Sequence, residues 1–273
     1  AASAGSLIVP STPPTAPATL ARTPAPSAPP SGDGRCEVVP AEPAYGFDPF
    51  YEKVCVVDGV PIVAAGVVED AALRAAADIA HNMLLPRPDL RAQMIANGLR
   101  IGVLGRRQQA TEMPEYRDLT TRYPGRDWNA ARAYGARPGR PLMIAPEENL
   151  TCGPADTYPG QSVLTHELGH SVLDLAVAFV DPTFKGRLAD AFRQAQGMTV
   201  YRRSYAMTDL DEYWAEGVQD YFDASTRGVG DDGGGNGYDS PIATRAELAA
   251  ADPVLHGLIA EVFTDRRWTP SCP

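Results

Sequence analysis

The chain has 273 residues, 44% of them hydrophobic, and its 24 basic against 34 acidic side chains give a formal net charge of -10. That length and apolar content support a packed core of one large domain or two small ones, while the acidic excess repels phosphate backbones and anionic lipid and argues against nucleic-acid binding. No stretch approaches the roughly 18–20 continuous apolar residues of a membrane-spanning helix, so membrane insertion is not expected either.

Residues 1–34 are dominated by Ala, Pro, Ser and Thr, with Pro13-Pro14 and Pro29-Pro30 and few large aliphatics. Such a segment buries too little surface to offset its ordering entropy and is read as a disordered, partly extended tether. The chain starts at Ala1 without a basic-then-apolar signal segment, which reads as a processed product. A tether of this kind often follows a signal or lipid anchor, so a secreted or cell-surface location is expected, with a pro-segment remnant as the other reading of residues 1–34. Residues 35–273 are read as one folded domain, an α/β part to about 178 followed by a helical part. Cys36, Cys55, Cys152 and Cys272 make an even count without CxxC spacing. Two disulfides are expected, with Cys36 to Cys55 and Cys152 to Cys272 favoured because the first pair flanks one short segment and the second ties down the tail; four reduced thiols are the alternative.

Tyr51 to Ala65 reads as a hairpin turning at Asp58-Gly59, with Pro61 marking an edge strand. Apolar residues recur at helical spacing over 69–84, and a second helix is expected from Pro88 to the Asn97-Gly98 stop. Leu99 to Leu104 alternates as a strand. The Arg-, Gly- and Pro-rich stretch 105–140 reads as irregular. Arg140 to Ala145 reads as another strand, placed at a sheet edge by Pro141 and Pro146, where it could bind an extended peptide by strand addition. Asn149-Leu150-Thr151 is a glycosylation sequon. Helices follow at about 160–178, 182–196, 208–224, 244–250 and 252–263, the fourth opened by a Thr244/Glu247 capping pattern and the fifth by Asp252-Pro253. The resulting class is α+β, a small mixed sheet followed by a mainly helical C-terminal half.

Within the third helix stands Val163-Leu164-Thr165-His166-Glu167-Leu168-Gly169-His170-Ser171-Val172-Leu173. Histidines four apart share one helix face and can converge on one ion, and imidazole nitrogens with an open fourth position suit catalytic zinc. Glu167 is then placed to take a proton from water. The flanking apolar residues describe a buried helix, and Gly169 inside it marks a close approach by another backbone or a substrate. A third ligand must come from elsewhere. Glu212 and Glu216 lie four apart on a helix otherwise rich in Tyr213, Trp214, Val218, Tyr221 and Phe222, and two carboxylates on such a surface need a positive partner. Glu212 is assigned as third ligand and Glu216 as acceptor of the other ring N–H of a zinc histidine, with Asp174, one turn past His170, as a rival acceptor.

The His166–His170 motif, followed by Tyr205 and by Glu212-Tyr213-Trp214-Ala215-Glu216, resembles the gluzincin metallopeptidases related to the catalytic domain of anthrax lethal factor and the Pro-Pro endopeptidases. Tyr213 and Trp214 stand where that family has two phenylalanines. The resemblance covers about residues 140–225. It implies a zincin-like fold with an edge strand beside the metal helix, one catalytic Zn2+, a peptide or protein substrate bound in extended form, and a role for Tyr205, seven residues before Glu212, in stabilising the developing oxyanion. It carries no substrate preference. The expected activity is a secreted zinc endopeptidase; the alternatives are an inactive zinc-stabilised adhesion module and a zinc hydrolase of a non-peptide amide or ester. His81 and His256 read as ordinary half-buried histidines. The Asp231–Asp239 loop is rich in oxygens but lacks the ligand spacing of a calcium loop and reads as a flexible lid.

Overall fold

In the computed structural model, which describes residues 36–227 and 242–271, Asp58-Gly59 turns the chain between β2 (Lys53–Val57) and β3 (Val60–Ala64). Both turn residues have positive φ, 49° and 87°, the geometry that follows the right-handed twist of a hairpin. The tether, the Asp231–Asp239 loop and Cys272 lie outside the described residues.

β1 (Val39–Pro40) joins the outer side of β2, and β4 (Arg100–Leu104) and β5 (Leu142–Pro146) run parallel to β3, giving a five-stranded mixed sheet in the order β1-β2-β3-β4-β5. Pro61 therefore does not mark an edge, since β3 is the central strand. Val57 and Val60 close the two-residue turn as a bonded pair, Val56 and Pro61 form the next, non-bonded pair, and the ladder to β4 starts only at Ile62. The missing N–H of Pro61 falls where no ladder bond is due.

Parallel neighbours need long crossovers. The first is made by α1 (Asp70–Leu84) and α2 (Pro88–Ala96). The second is the irregular stretch 105–141, which holds only 3-10 turns and the short α3 (Leu119–Arg122). The two crossovers cover opposite faces of the sheet. Met143 and Ala145 of β5 point into a core shared with α1, α2 and the C-terminal helices. Leu142 and Ile144 point into a second core built around Met113, Tyr116, Trp128 and Tyr134. Both faces are buried, so every residue of β5 is buried.

After β5 come α4 (Glu147–Leu150), α5 (Val163–Val172), a π turn (Leu173–Val177), α6 (Ala178–Val180), α7 (Phe184–Ala195), α8 (Leu210–Tyr221), α9 (Arg245–Ala251) and α10 (Pro253–Phe263). Thr244 and Asp252 cap the last two, accepting from Glu247 N–H and Leu255 N–H. By length and composition the run Val163–Val180 could cross a membrane, which the sequence reading had not found. It is 72% buried inside the fold and carries His166, Glu167 and His170, as a core helix would.

The Cys36–Cys55 disulfide forms as expected, tying β2 to the chain entering β1 across a Cα–Cα distance of 5.4 Å. Cys152 is disulfide-bonded as well, which removes the reading of four reduced thiols. Cys272, its expected partner, lies outside the described residues.

Candidate metal centre

The start of α5 is fixed by the side chain of Asn149. Asn149 Oδ1 accepts from Val163 N–H at 3.0 Å, while its Nδ2 donates to Asp156 Oδ2 and to the Gln161 carbonyl at 3.0 and 2.7 Å. Asn149 is 3% exposed with its amide fully engaged, so the folded protein offers no glycosylation acceptor there. It orients the metal helix instead.

Gly169 has the expected reason. A Cβ there would sit 3.2 Å from Val218 Cβ and 3.5 Å from Ala215 Cα, so α8 crosses α5 at this point. Trp214 Nε1 donates to the Gly169 carbonyl at 2.9 Å and locks the crossing. At the head of α8, Asp209 Oδ1 accepts from the N–H groups of Asp211 and Glu212, both at 2.9 Å, which sets Glu212 in the first turn where the helix dipole favours a carboxylate.

These contacts bring His166, His170 and Glu212 together. His166 Nε2 and His170 Nε2 lie 3.1 Å apart, and Glu212 Oε2 lies 3.1 Å from the first and 3.5 Å from the second. Donors at roughly 2.0–2.1 Å around a tetrahedral ion would be roughly 3.3–3.4 Å apart. The observed spacings straddle that value, and two ring nitrogens aimed at each other beside a buried carboxylate are the donor chemistry of a metal site. Burial opposes ionisation of Glu212, but the imidazoles of His170 and His166 outweigh it and hold its carboxyl far below the usual carboxylate range. Burial likewise works against protonation of both histidines, and the facing carboxylates, Glu212 foremost, reverse it and raise both.

Glu167 is buried, and its carboxylate bonds none of the described side chains. Burial raises its pKa against the pull of His166 and His170. Tyr205, in a 3-10 turn capped by Ser204, donates to Glu212 Oε1 at 3.2 Å. Glu216 Oε1 lies 3.3 Å from His166 Nδ1, the far side of the ring. Asp174 is turned elsewhere: its Oδ1 accepts from Lys185 Nζ at 2.5 Å, because α7 brings a cation to that flank. His81 bonds Asp58 at the hairpin turn, and His256 lies against Tyr221, both away from the donor cluster.

The strand expected to bind substrate does not offer a free edge. β5 is the last strand of the sheet, yet Ile144 exchanges both backbone bonds with Tyr134, at 3.1 and 2.9 Å, and the Leu142 carbonyl takes the Tyr116 hydroxyl at 2.6 Å. The chain folds back through Pro138-Gly139, with Gly139 at φ 84°, and lays residues 133–137 between β5 and solvent. Ala136 N–H donates to Ser171 Oγ on α5 at 2.9 Å. Gly135 sits against the metal helix, where a Cβ would come within 2.7 Å of His170 Cβ and 3.4 Å of Glu167 Oε2. Its own N–H and C=O are taken up by no described residue. The sequence reading missed this segment, although Pro138-Gly139 was a turn signal.

No protein-family model and no curated protein matches the chain. Among solved structures it is similar to the Pro-Pro endopeptidase of Paenibacillus alvei, at 16% identity and a TM-score of 0.48, over 74% of this chain and 97% of that one. A likeness of that size carries nothing about activity or site residues. The chain itself is a mixed α+β protein in which buried His166 and Glu212 and half-buried His170 form a group able to hold a metal ion.

Proposed function

We propose that this protein is a zinc-dependent endopeptidase, exported or held at the cell surface, with His166, His170 and Glu212 as metal ligands and Glu167 as general base. The observation that carries the proposal is the convergence of two imidazole nitrogens and one carboxylate oxygen next to a second, separately held buried carboxylate. A purely structural site has no use for the second one. Zinc bound there would supply Lewis acidity, lowering the pKa of water toward neutrality and polarising a carbonyl.

The protein's own groups do the rest. Glu167, raised by burial, takes the proton of the attacking water and passes it to the leaving amine. The Tyr205 hydroxyl, at the rim of the donor cluster, donates to the oxyanion as it develops. Glu216 accepts the His166 Nδ1–H, which directs the bare Nε2 toward the ion. An extended peptide is held along residues 133–135 rather than β5, since no described residue takes up the backbone groups of Gly135 next to Glu167. The Cys36–Cys55 disulfide supports an oxidising compartment.

The test is incubation of the purified chain with a mixed peptide library, with and without a zinc chelator, beside Glu167→Gln. Internal cleavage that the chelator and the variant both abolish is expected. Zinc binding without cleavage would instead establish a binding module, and cleavage unaffected by Glu167→Gln would remove Glu167 from its role.

A further inference from the structure

We propose that Asp220 is a positioning residue for the metal centre, a neutral carboxylic acid that braces Glu216 across a buried cavity and through it holds the His166 ring. The inference rests on the metal reading above and concerns a residue that reading does not use.

Asp220 lies one helical turn beyond Glu216 on α8, on the same face, and is 5% exposed. Its Oδ1 is buried and meets no hydrogen-bonding group among the described residues, and the Ser225 side chain is a nearby polar group that partly favours the charged form. Asp220 and Glu216 both line a cavity of about 10 Å³, walled by Tyr201, Ser204, Tyr213 and Gly217. The tyrosine hydroxyls there are committed to Asp252, at 3.1 and 2.6 Å, and cannot serve Asp220.

The charged groups acting on Asp220 are Glu216 on its own helix, Asp223 just past the helix end and His166 on α5. Among the described residues no lysine or arginine lines the cavity. An ionised Asp220 would face Glu216 in a poorly solvated site, a costly arrangement unless a cation or a proton intervenes. The cavity decides between them. Calcium needs six to eight oxygens at roughly 2.3–2.6 Å, whereas about 10 Å³ holds a single water. A proton on Asp220 removes the repulsion and turns the unpartnered oxygen into a donor, reaching Glu216 through that one water. Glu216 then stays a carboxylate acceptor for His166 Nδ1–H. Burial, reinforced by Glu216, pushes the Asp220 carboxyl well above the ordinary carboxylate range, in keeping with this state.

The experiment measures zinc affinity of the full chain by competition with a chromogenic chelator, for the parent, Asp220→Asn, Asp220→Leu, Glu216→Gln and the E216Q/D220L double variant. Asn reproduces a neutral acid in shape and hydrogen bonding, so D220N should bind zinc within about threefold of the parent. D220L should bind about 10- to 100-fold more weakly, the usual effect of losing such a partner, and the double variant no more weakly than E216Q alone. If D220L does not fold, Asp220→Ala takes its place in the cycle. Affinity lost in D220N as in D220L, losses that multiply in the double variant, or equal affinity throughout would each overturn the role of Asp220. A parent that binds no zinc would overturn the metal reading instead.

Discussion

The helix that carries His166 and His170 has two unlike flanks. Toward α8 everything is closed: Glu212 and Glu216 meet the His166 ring, Trp214 bonds the Gly169 carbonyl, and Val218 fills the notch left by the glycine. Toward residues 133–137 the packing is equally tight at Gly135, yet the N–H and C=O of Gly135 itself are taken up by no described residue. The Cβ of His170 packs on this second flank, and Asp174, the carboxylate one turn on, is occupied by Lys185. On the proposed reading, one flank fixes the metal ligands and the other receives the substrate. A site sealed on both sides could bind metal but could not turn over a polypeptide.

That division of labour can be broken at four places. Glu167→Gln acts on chemistry alone, and kcat should fall by about 10²–10⁴ with zinc still bound, read by steady-state kinetics and metal analysis of the same sample. Tyr205→Phe sits between the flanks; loss of an oxyanion donor should lower kcat by about 10²–10³ with KM little changed. A matching loss of zinc in that variant would move Tyr205 to the ligand-fixing side. Gly135→Ala strikes the receiving flank, since its Cβ would meet a backbone-anchored Cβ rather than a mobile side-chain end. The strain should lower stability by about 1–3 kcal/mol in urea melts, and an unchanged melt would show that the segment does not press on the metal helix.

The smallest effect concerns the closed flank. A carboxyl whose folded pKa is raised, as at Asp220, binds more protons in the native than in the unfolded state at intermediate pH, so stability falls as pH climbs above the ordinary carboxylate value of about 3.9. The loss levels off once pH passes the folded pKa, and its slope for one proton is at most about 1.4 kcal/mol per pH unit. Asp220→Asn has no such proton, so in the presence of chelator the variant should gain on the parent as pH rises from 4 upward. Parallel stability curves would mean that Asp220 is ionised in the fold.

Much of this was legible in the chain because the signals are local. Asp58-Gly59 dictates its turn, Thr244 and Asp252 cap their helices, and a carboxylate pair on the apolar face of α8 has to find positive partners. What was not legible depends on who arrives from far away. Pro61 looked like an edge residue because its sequence does not say that the β4 ladder begins one residue later. Asn149 read only as a glycosylation sequon because its partners, Asp156, Gln161 and Val163, are recruited only when the loop closes. Asp174 looked available to His170 until α7 delivered Lys185. The β5 edge looked free because Tyr134 has no strand pattern around it, although it pairs with Ile144 in both directions.

The most direct check is the zinc content per chain of the parent, of Glu167→Gln and of alanine variants at His166, His170 and Glu212, measured by mass spectrometry on folded protein. Close to one zinc is expected in the parent and in Glu167→Gln, and close to none in the three alanine variants. Full occupancy surviving the loss of any one of these three donors would contradict the centre described above.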